Sequence, residues 1–435
     1  MQRHRVIYPV SAGTTGLLKQ KMLNWANRFG IFCLLDSNAY VSRAGQYECL
    51  LGAGAIAVFQ PGDANVFEGL QAFHQQHKDW LFGHITYDVK NSLEPTLASN
   101  HEGRLLFPAM QFFVPEIVMG IVQGSDTLFI EANDGDAALI YQQLLDTPCQ
   151  ETIDLPKLSF KQRISEQDYL ATIAALREHI RNGDCYEINF CNESYCEDVQ
   201  IDPVNVFQRL NALSPAPFAA CYKLADKYLL CASPERYVCQ QDNTVWSQPI
   251  KGTAPRGIDV VQDEQLKAAL YHSEKERAEN VMIVDLVRND LARSCASGSI
   301  RVEELFGIYT FPQVHQMIST ITGQVKAGLS FSDVLKHSFP MGSMTGAPKV
   351  KVMELIERYE ASRRELFSGT VGYISPQGDM DFNVVIRSLF YNAASRYLSY
   401  QTGGAITWDS DPQSEWEELR LKGAAMERLF SGKNV

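Results

Sequence analysis

The chain is 435 residues long, 45% hydrophobic and 21% charged, enough to bury a large core in two or three domains or in one large α/β unit. Its 39 basic against 51 acidic residues leave a net charge of −12 and a pI near 5.3. Such a surface repels nucleic acid and anionic lipid, which argues against both as partners, and an anionic substrate would need cations supplied locally.

At the N-terminus, MQRHRVIYPVSAGTTG carries basic residues, but its apolar run of about five residues, containing Pro9, is too short for a signal peptide. No apolar run reaches the roughly 18 residues of a membrane span, so a soluble, cytoplasmic protein is expected. The first 150 or so residues read as β-rich: CLLDSNAYV, YECLLGAGAIAVF, WLFGHITYDV, MQFFVPEIVMGIV and TLFIEAN are separated by Gly, Asn and Asp turns. GAGAIA mimics part of a dinucleotide-binding loop but lacks a βαβ setting, and reads as a strand with close backbone packing. Residues 150–164, QETIDLPKLSFKQRI, are polar and carry a proline; this linker-like stretch separates regions 1–155 and 156–435.

Ser165 and Asp168 then make a capping-box-like start, followed by Tyr169, Ile173, Leu176 and Ile180 at helical spacing and by Gly183 as the stop. The strand CYEINFCNESY, a helix around VFQRLNAL, and the strands YLLCASPERYVC and TVWSQPI come next. One long helical stretch is predicted from about Asp263 to Ser294. Another helix opens at Pro348, with Val352, Leu355, Ile356 and Tyr359 on one face. GTVGYIS, NVVIRSLFYN and YLSYQTGGAIT read as strands before a last helix, SEWEELRLKGAAMERLF. Strand runs and long helices do not strictly alternate, which predicts an α+β fold with largely antiparallel sheets. Ten cysteines are scattered without a CxxC pair, so Cys185, Cys191 and Cys196 read as buried thiols and the chain as one suited to a reducing compartment.

Two helices repeat one pattern. Glu276 and Glu279 stand three apart, as do Glu415 and Glu418, so each helix stacks two carboxylates on one face. Two such faces brought together would make an oxygen-only site suited to Mg²⁺, although by spacing alone such pairs more often decorate an exposed helix. GSMTGAPK, from Gly342 through Gly346 to Lys349, opens the helix at Pro348 and could cradle an anion or be an ordinary helix start; it is not a Walker A loop. Gly403 and Gly404 admit a ligand to the main chain or make a bend. Arg387, among apolar neighbours in VVIRSL, needs a carboxylate partner. In PIKGTAPRG, Lys251 reads locally as a solvated turn lysine. A nucleophilic role would need a free amine, which at a reference pKa near 10.4 is held by about one lysine in a thousand at neutral pH, so burial or a nearby cation would have to lower the pKa.

In this order, SPER, PIKGT, RAENVMIVDLVRNDLAR, FPMGSMTGAPK, VIRSL and SDPQSEWEEL, spread over about residues 160–430, resemble the chorismate-utilising enzymes, which include anthranilate, aminodeoxychorismate, isochorismate and salicylate synthases. The resemblance implies an α/β/β/α sandwich of the aminodeoxychorismate-synthase type, with two facing, largely antiparallel sheets and outer helices. It makes residues 1–155 the more variable region similar to that of anthranilate synthase component I, with LLDS where relatives carry LLES, and residues 156–435 the chorismate-binding region. It implies Mg²⁺ held by Glu279 and Glu418 with Glu276 and Glu415 assisting, substrate contacts at Gly252, Thr253, Gly346, Arg387, Gly403, Gly404 and Lys422, and Glu235 as general acid for the departing C4 hydroxyl.

Lysine at position 251 marks the aminating branch of the family. There the lysine amine adds at C2 as the C4 hydroxyl leaves, then ammonia adds at C4 and expels it, giving 4-amino-4-deoxychorismate for 4-aminobenzoate and folate synthesis. No nucleophile-elbow cysteine accompanies a His and Glu set, so ammonia would come from a separate glutaminase subunit of the class I amidotransferase type. The alternatives are anthranilate synthase component I, disfavoured by Lys251, and a non-catalytic regulator that binds chorismate or tryptophan, disfavoured by the intact set Glu235, Lys251, Glu279 and Glu418. Glu187, Gln316, Phe367 and Ala405 depart from the residues that relatives carry.

Overall fold

The structure, a computed structural model, describes residues 3–42, 44–62, 65–132, 137–149, 153–312 and 314–432. The start of the N-terminal segment, residues 150–152 of the expected linker and the last three residues lie outside it. Among the described residues the strands form a twelve-stranded and a ten-stranded sheet, and every strand pairing is antiparallel.

Alternation along single strands builds the layers. In Ile31–Asp36, Ile31 and Cys33 join a core shared by both sheets, with Phe82, Phe113 and Phe382. Phe32 and Leu34 join a second core with Trp25 and Phe207, from the helices Thr15–Ala26 and Pro203–Leu213. Burial on both faces explains why so many strands are continuous apolar runs rather than alternating ones. A third cluster packs the helices Glu166–Arg181, Lys349–Tyr359 and Pro412–Leu429 against Ile188, Phe190 and Ile406 at the far end of the larger sheet. The result is the expected α+β sandwich.

Both sheets contain strands from the two halves of the chain. Ile31–Asp36 pairs with Phe218–Leu224, and Leu81–Ile85 pairs with Thr370–Ile374. The early region also contains the helices Thr15–Ala26, Val66–His77 and Ala137–Asp146 among its strands.

Five local expectations are corrected. In the early region YECLLGAGAIAVF is Tyr47–Ala53 in the larger sheet and Ala57–Phe59 in the smaller, with residues 54–56 turning between them, and MQFFVPEIVMGIV is Met110–Val114 in the smaller sheet and Ile117–Val122 in the larger. The helical stretch 263–294 is two helices, Val260–His272 and Glu274–Ser294. Ser273, at ψ 113°, leaves the helical region, and its hydroxyl accepts from Glu276 N–H, so it ends one helix and caps the next. YLLCASPERYVC is two strands: Lys227–Ser233 lies in the larger sheet and Arg236–Gln241 in the smaller. In NVVIRSLFYN only Asn383 belongs to a strand of the smaller sheet, Met380–Asn383; residues 384–387 lie between strands, and Ser388–Asn392 is in the larger sheet. At both places the chain passes from one sheet to the other, which an apolar pattern common to the two sheets does not disclose. The Ser165 cap is as expected, with Asp168 N–H donating to the serine hydroxyl at 3.2 Å.

Candidate active site

The crossings at Glu235 and at residues 384–387 lie side by side. Val384 N–H donates to the Glu235 carbonyl at 3.0 Å, and Ala232 N–H donates to the Arg387 carbonyl at 3.2 Å. Glu235 therefore stands where the sheets meet. Its carboxyl is buried and receives hydrogen bonds from the Ser343 hydroxyl and the Ile250 backbone; burial dominates and pushes its pKa up to about 7. A cavity of about 20 Å³, room for one water, adjoins Glu235, Ser343 and Val384.

Ile250 leads into Lys251, which is not in a turn. It lies in the strand Ile250–Pro255, at a register shift against Val314–Gln324 between Ile250 and Thr253. Such an irregularity re-aims a side chain, and Gly252 supplies the left-handed φ of 95° that it needs. The Lys251 side chain is only 11% exposed, and its Nζ donates to Glu187 Oε1 at 2.7 Å. Burial opposes the ammonium, but Glu187, Glu279 and Glu418 more than offset it and the pKa rises. The expected lowering is thus reversed: the resting amine is a paired cation.

The glutamate pairs come together around this lysine. Glu276 and Glu279 project from Glu274–Ser294, and Glu415 and Glu418 from Pro412–Leu429. Burial pushes Glu279 up to about 7, with Glu276 and Glu187 adding to the effect. Glu276 is raised by burial and by the Glu418 charge on the other helix. Glu415 is raised by burial despite the Ser410 hydroxyl, which donates to it at 2.7 Å. Glu418 is held low, chiefly by Lys422 at 2.6 Å. Among the described residues no three His, Cys, Asp or Glu side chains close on one point tightly enough to hold an ion unaided. In donor chemistry the four nevertheless fit a hard divalent cation: all are carboxylates, and three are held above their ordinary range by burial or each other's charge.

The strand Tyr397–Ile406 carries the glycines beneath this helix. A Cβ on Gly404 would lie 3.0 Å from Glu415 Oε2 and 3.7 Å from Glu418 Oε1, whereas one on Gly403 would run into the Phe190 carbonyl. Lys422 Nζ donates to the Gly403 carbonyl at 2.8 Å, and Arg387 Nη1 to the Lys422 carbonyl at 3.2 Å. Arg387 has a left-handed φ of 53°, and burial lowers its pKa against the pull of Glu418. Gly346 pairs with Ile188, and a Cβ there would strike the Glu187 carbonyl. The helix Lys349–Tyr359 begins at Pro348, and among the described residues no side chain caps it.

Of the departures, Gln316 lies opposite Thr253 and its buried Oε1 has no hydrogen-bond partner among the described residues, while neighbouring His315 is tied to Asp263 and Thr310. Phe367 belongs to the inter-sheet core, and Ala405 pairs with Asn189. Ser343 and Lys275 were not among the expected site residues. Ser343 lies inside the GSMTGAPK motif, and Lys275 stands one turn before Glu279, its Nζ 3.9 Å from Glu279 Oε1. A separate cavity of about 70 Å³, lined by Asp36, Ser37, Tyr40, Arg236 and Asp381, lies behind LLDS.

A two-sheet sandwich with a buried lysine facing two glutamate-bearing helices defines an enzyme class rather than a single activity. The family model described as chorismate binding enzyme matches residues 36–428, and the chain belongs to that family of enzymes. It is 35% identical over 313 residues to aminodeoxychorismate synthase component 1 of Klebsiella aerogenes, covering 70% of this chain and 68% of that one. To the Escherichia coli K12 protein of the same name it is 34% identical over 339 residues, covering 78% and 73%. Among solved structures, anthranilate synthase component I from Streptococcus pneumoniae TIGR4 matches with a TM-score of 0.77 at 25% identity, over 89% of this chain and 94% of that one. The menaquinone-specific isochorismate synthase of Escherichia coli, 18% identical, shares the fold with a TM-score of 0.77 over 99% and 94%.

Proposed function

We propose that this enzyme aminates chorismate at C4 with ammonia, giving 4-amino-4-deoxychorismate on the route to 4-aminobenzoate. The observation that carries the reading is the buried Lys251, turned inward by a strand irregularity, beside a Glu235 whose pKa of about 7 suits proton donation at neutral pH. Lys251, as amine, adds at C2 while the C4 hydroxyl takes the Glu235 proton and leaves as water. Ammonia adds at C4 and releases the lysine from C2. Two displacements put nitrogen on the carbon that lost oxygen.

Glu279 and Glu418, with Glu276 and Glu415, would hold Mg²⁺, which supplies charge neutralisation for a substrate carboxylate at an otherwise acidic face. Arg387, Lys422 and the helix start after Gly346 serve the remaining negative charge, while Gly252, Thr253, Gly403 and Gly404 let the ring approach the backbone. Residues 1–155 complete both sheets and residues 156–435 form the chorismate-binding region. The relatives' designation as component 1 supports a second component, which we take to be a glutaminase of the class I amidotransferase type supplying ammonia. Ten free cysteines support a reducing cytoplasm, and among the described residues no helix is long and apolar enough to cross a membrane.

The test is incubation with chorismate, Mg²⁺ and an ammonium salt, with and without aminodeoxychorismate lyase. 4-Aminobenzoate appearing only with lyase is the expected result. Anthranilate formed without lyase would replace this reading with the anthranilate synthase one, and chorismate bound but unchanged would favour a regulator.

A further inference from the structure

If Lys251 is the nucleophile, its proton must go somewhere before C–N bond formation, because the resting amine is an ammonium. Carboxylates reach it from four parts of the fold: Glu187 from the strand Glu187–Cys196, Glu235 from the sheet crossing, Glu276 and Glu279 from one helix, and Glu418 from another. Glu187 is the one in hydrogen-bond contact, at 2.7 Å, and its own side chain is 4% exposed. It is rigidly mounted, its backbone opposite Ala347 and the next residue, Ile188, between Gly346 and Ile406. Asn189 shares its face of the strand and donates to the carbonyl of Ser343, the residue whose hydroxyl bonds to Glu235.

We infer that Glu187 is the proton acceptor that converts the Lys251 ammonium into the nucleophilic amine, an assignment that rests on the lysine reading above. The balance is simple. Glu187 carboxylate takes one proton from Lys251 Nζ and becomes the neutral acid; the amine's lone pair forms the bond to C2, and Glu235 gives its proton to the departing hydroxyl. The adduct nitrogen is then a secondary ammonium. When ammonia adds at C4, the C2–N pair returns to lysine as neutral amine and the product leaves with its new nitrogen protonated. Glu187 hands its proton back to Lys251, Glu235 regains one from solvent, and the resting state re-forms. Glutamine at this position could accept the lysine hydrogen bond but could not take its proton.

The test uses the full-length enzyme with chorismate and Mg²⁺ but no ammonia, following the covalent adduct by intact mass across pH. Glu187→Gln should form adduct about 100-fold more slowly near neutral pH, the range of a lost general base, with the chorismate concentration that half-saturates adduct formation within about 2-fold of wild type. The deficit should shrink towards about pH 9.5, as solvent base takes the proton instead. Glu187→Asp, which keeps the carboxylate, should recover much of the rate and guards against a folding defect. A Glu187→Gln rate equal to wild type, or a deficit identical at every pH, overturns the assignment while leaving Lys251 in place. Adduct persisting in Lys251→Ala, or no adduct in wild type, removes the lysine reading itself and this assignment with it.

Discussion

Glu235 and Arg387 stand at two of the points where the chain passes between sheets, and these two crossings are tied by backbone hydrogen bonds of 3.0 and 3.2 Å, one in each direction. The pairing places a protonatable carboxyl and a guanidinium on one rigid seam. Neither depends on a mobile loop for its position.

Arg387 should matter for binding more than for turnover. Its planar fork is the group suited to a carboxylate, and lysine cannot reproduce it. Arg387→Lys is expected to raise chorismate KM about 10-fold or more with a smaller change in kcat. Steady-state kinetics at saturating Mg²⁺ check this; an unchanged KM would take Arg387 out of substrate recognition.

Glu235 should trade stability for activity. Its folded pKa, about 7, lies above the ordinary 4.5, so the folded state binds the extra proton between those values and stability declines as pH rises through that window. Glu235→Gln removes a buried charge present above about pH 7, and is expected to stabilise the fold at pH 8 by roughly 1–3 kcal/mol. Adduct formation should meanwhile fall by about 100-fold or more. In the wild type, turnover should decline as pH rises past about 7, as the acid loses its proton. Thermal melts at pH 5 and 8 with rate profiles test both halves.

The adjacent glycines should fail differently. Gly403→Ala would drive a methyl into the Phe190 backbone and is expected to destabilise the larger sheet, read as a lower Tm. Gly404→Ala meets only the far ends of the Glu415, Glu418 and Lys422 side chains, so it should fold normally. Crowding those carboxylates should raise the Mg²⁺ concentration needed for chorismate binding about 10-fold or more, measurable by calorimetry without turnover. Equal melting losses in both variants would contradict the distinction.

What was legible in the chain was what local chemistry dictates. Ser165 followed by Asp168 is a helix start wherever it occurs, and glutamates three apart share a face in any helix. Cys191 and Cys196 read as buried thiols because they sit in a strand-like stretch with no matched histidines, and both are buried. The sheet crossings at Pro234–Glu235 and Val384–Arg387 were hidden, since both sheets present the same apolar runs and only pairing partners tell them apart. So was the Ser273 break, where a serine's cap competes with helix continuation. Lys251 read as a turn residue because its ion-pair partner, Glu187, is 64 positions away. The irregularity that aims it inward is a relation between two strands, and the lysine's own neighbours do not encode it.

The mechanism's central claim is a covalent bond from Lys251 to substrate, and intact mass spectrometry of enzyme quenched with chorismate and Mg²⁺ in the absence of ammonia tests it most directly. The expected result is a species heavier than the enzyme by chorismate less one water, present in wild type, absent in Lys251→Ala, and discharged as 4-amino-4-deoxychorismate when ammonium is added. The same species in Lys251→Ala, or full amination by that variant, would contradict it.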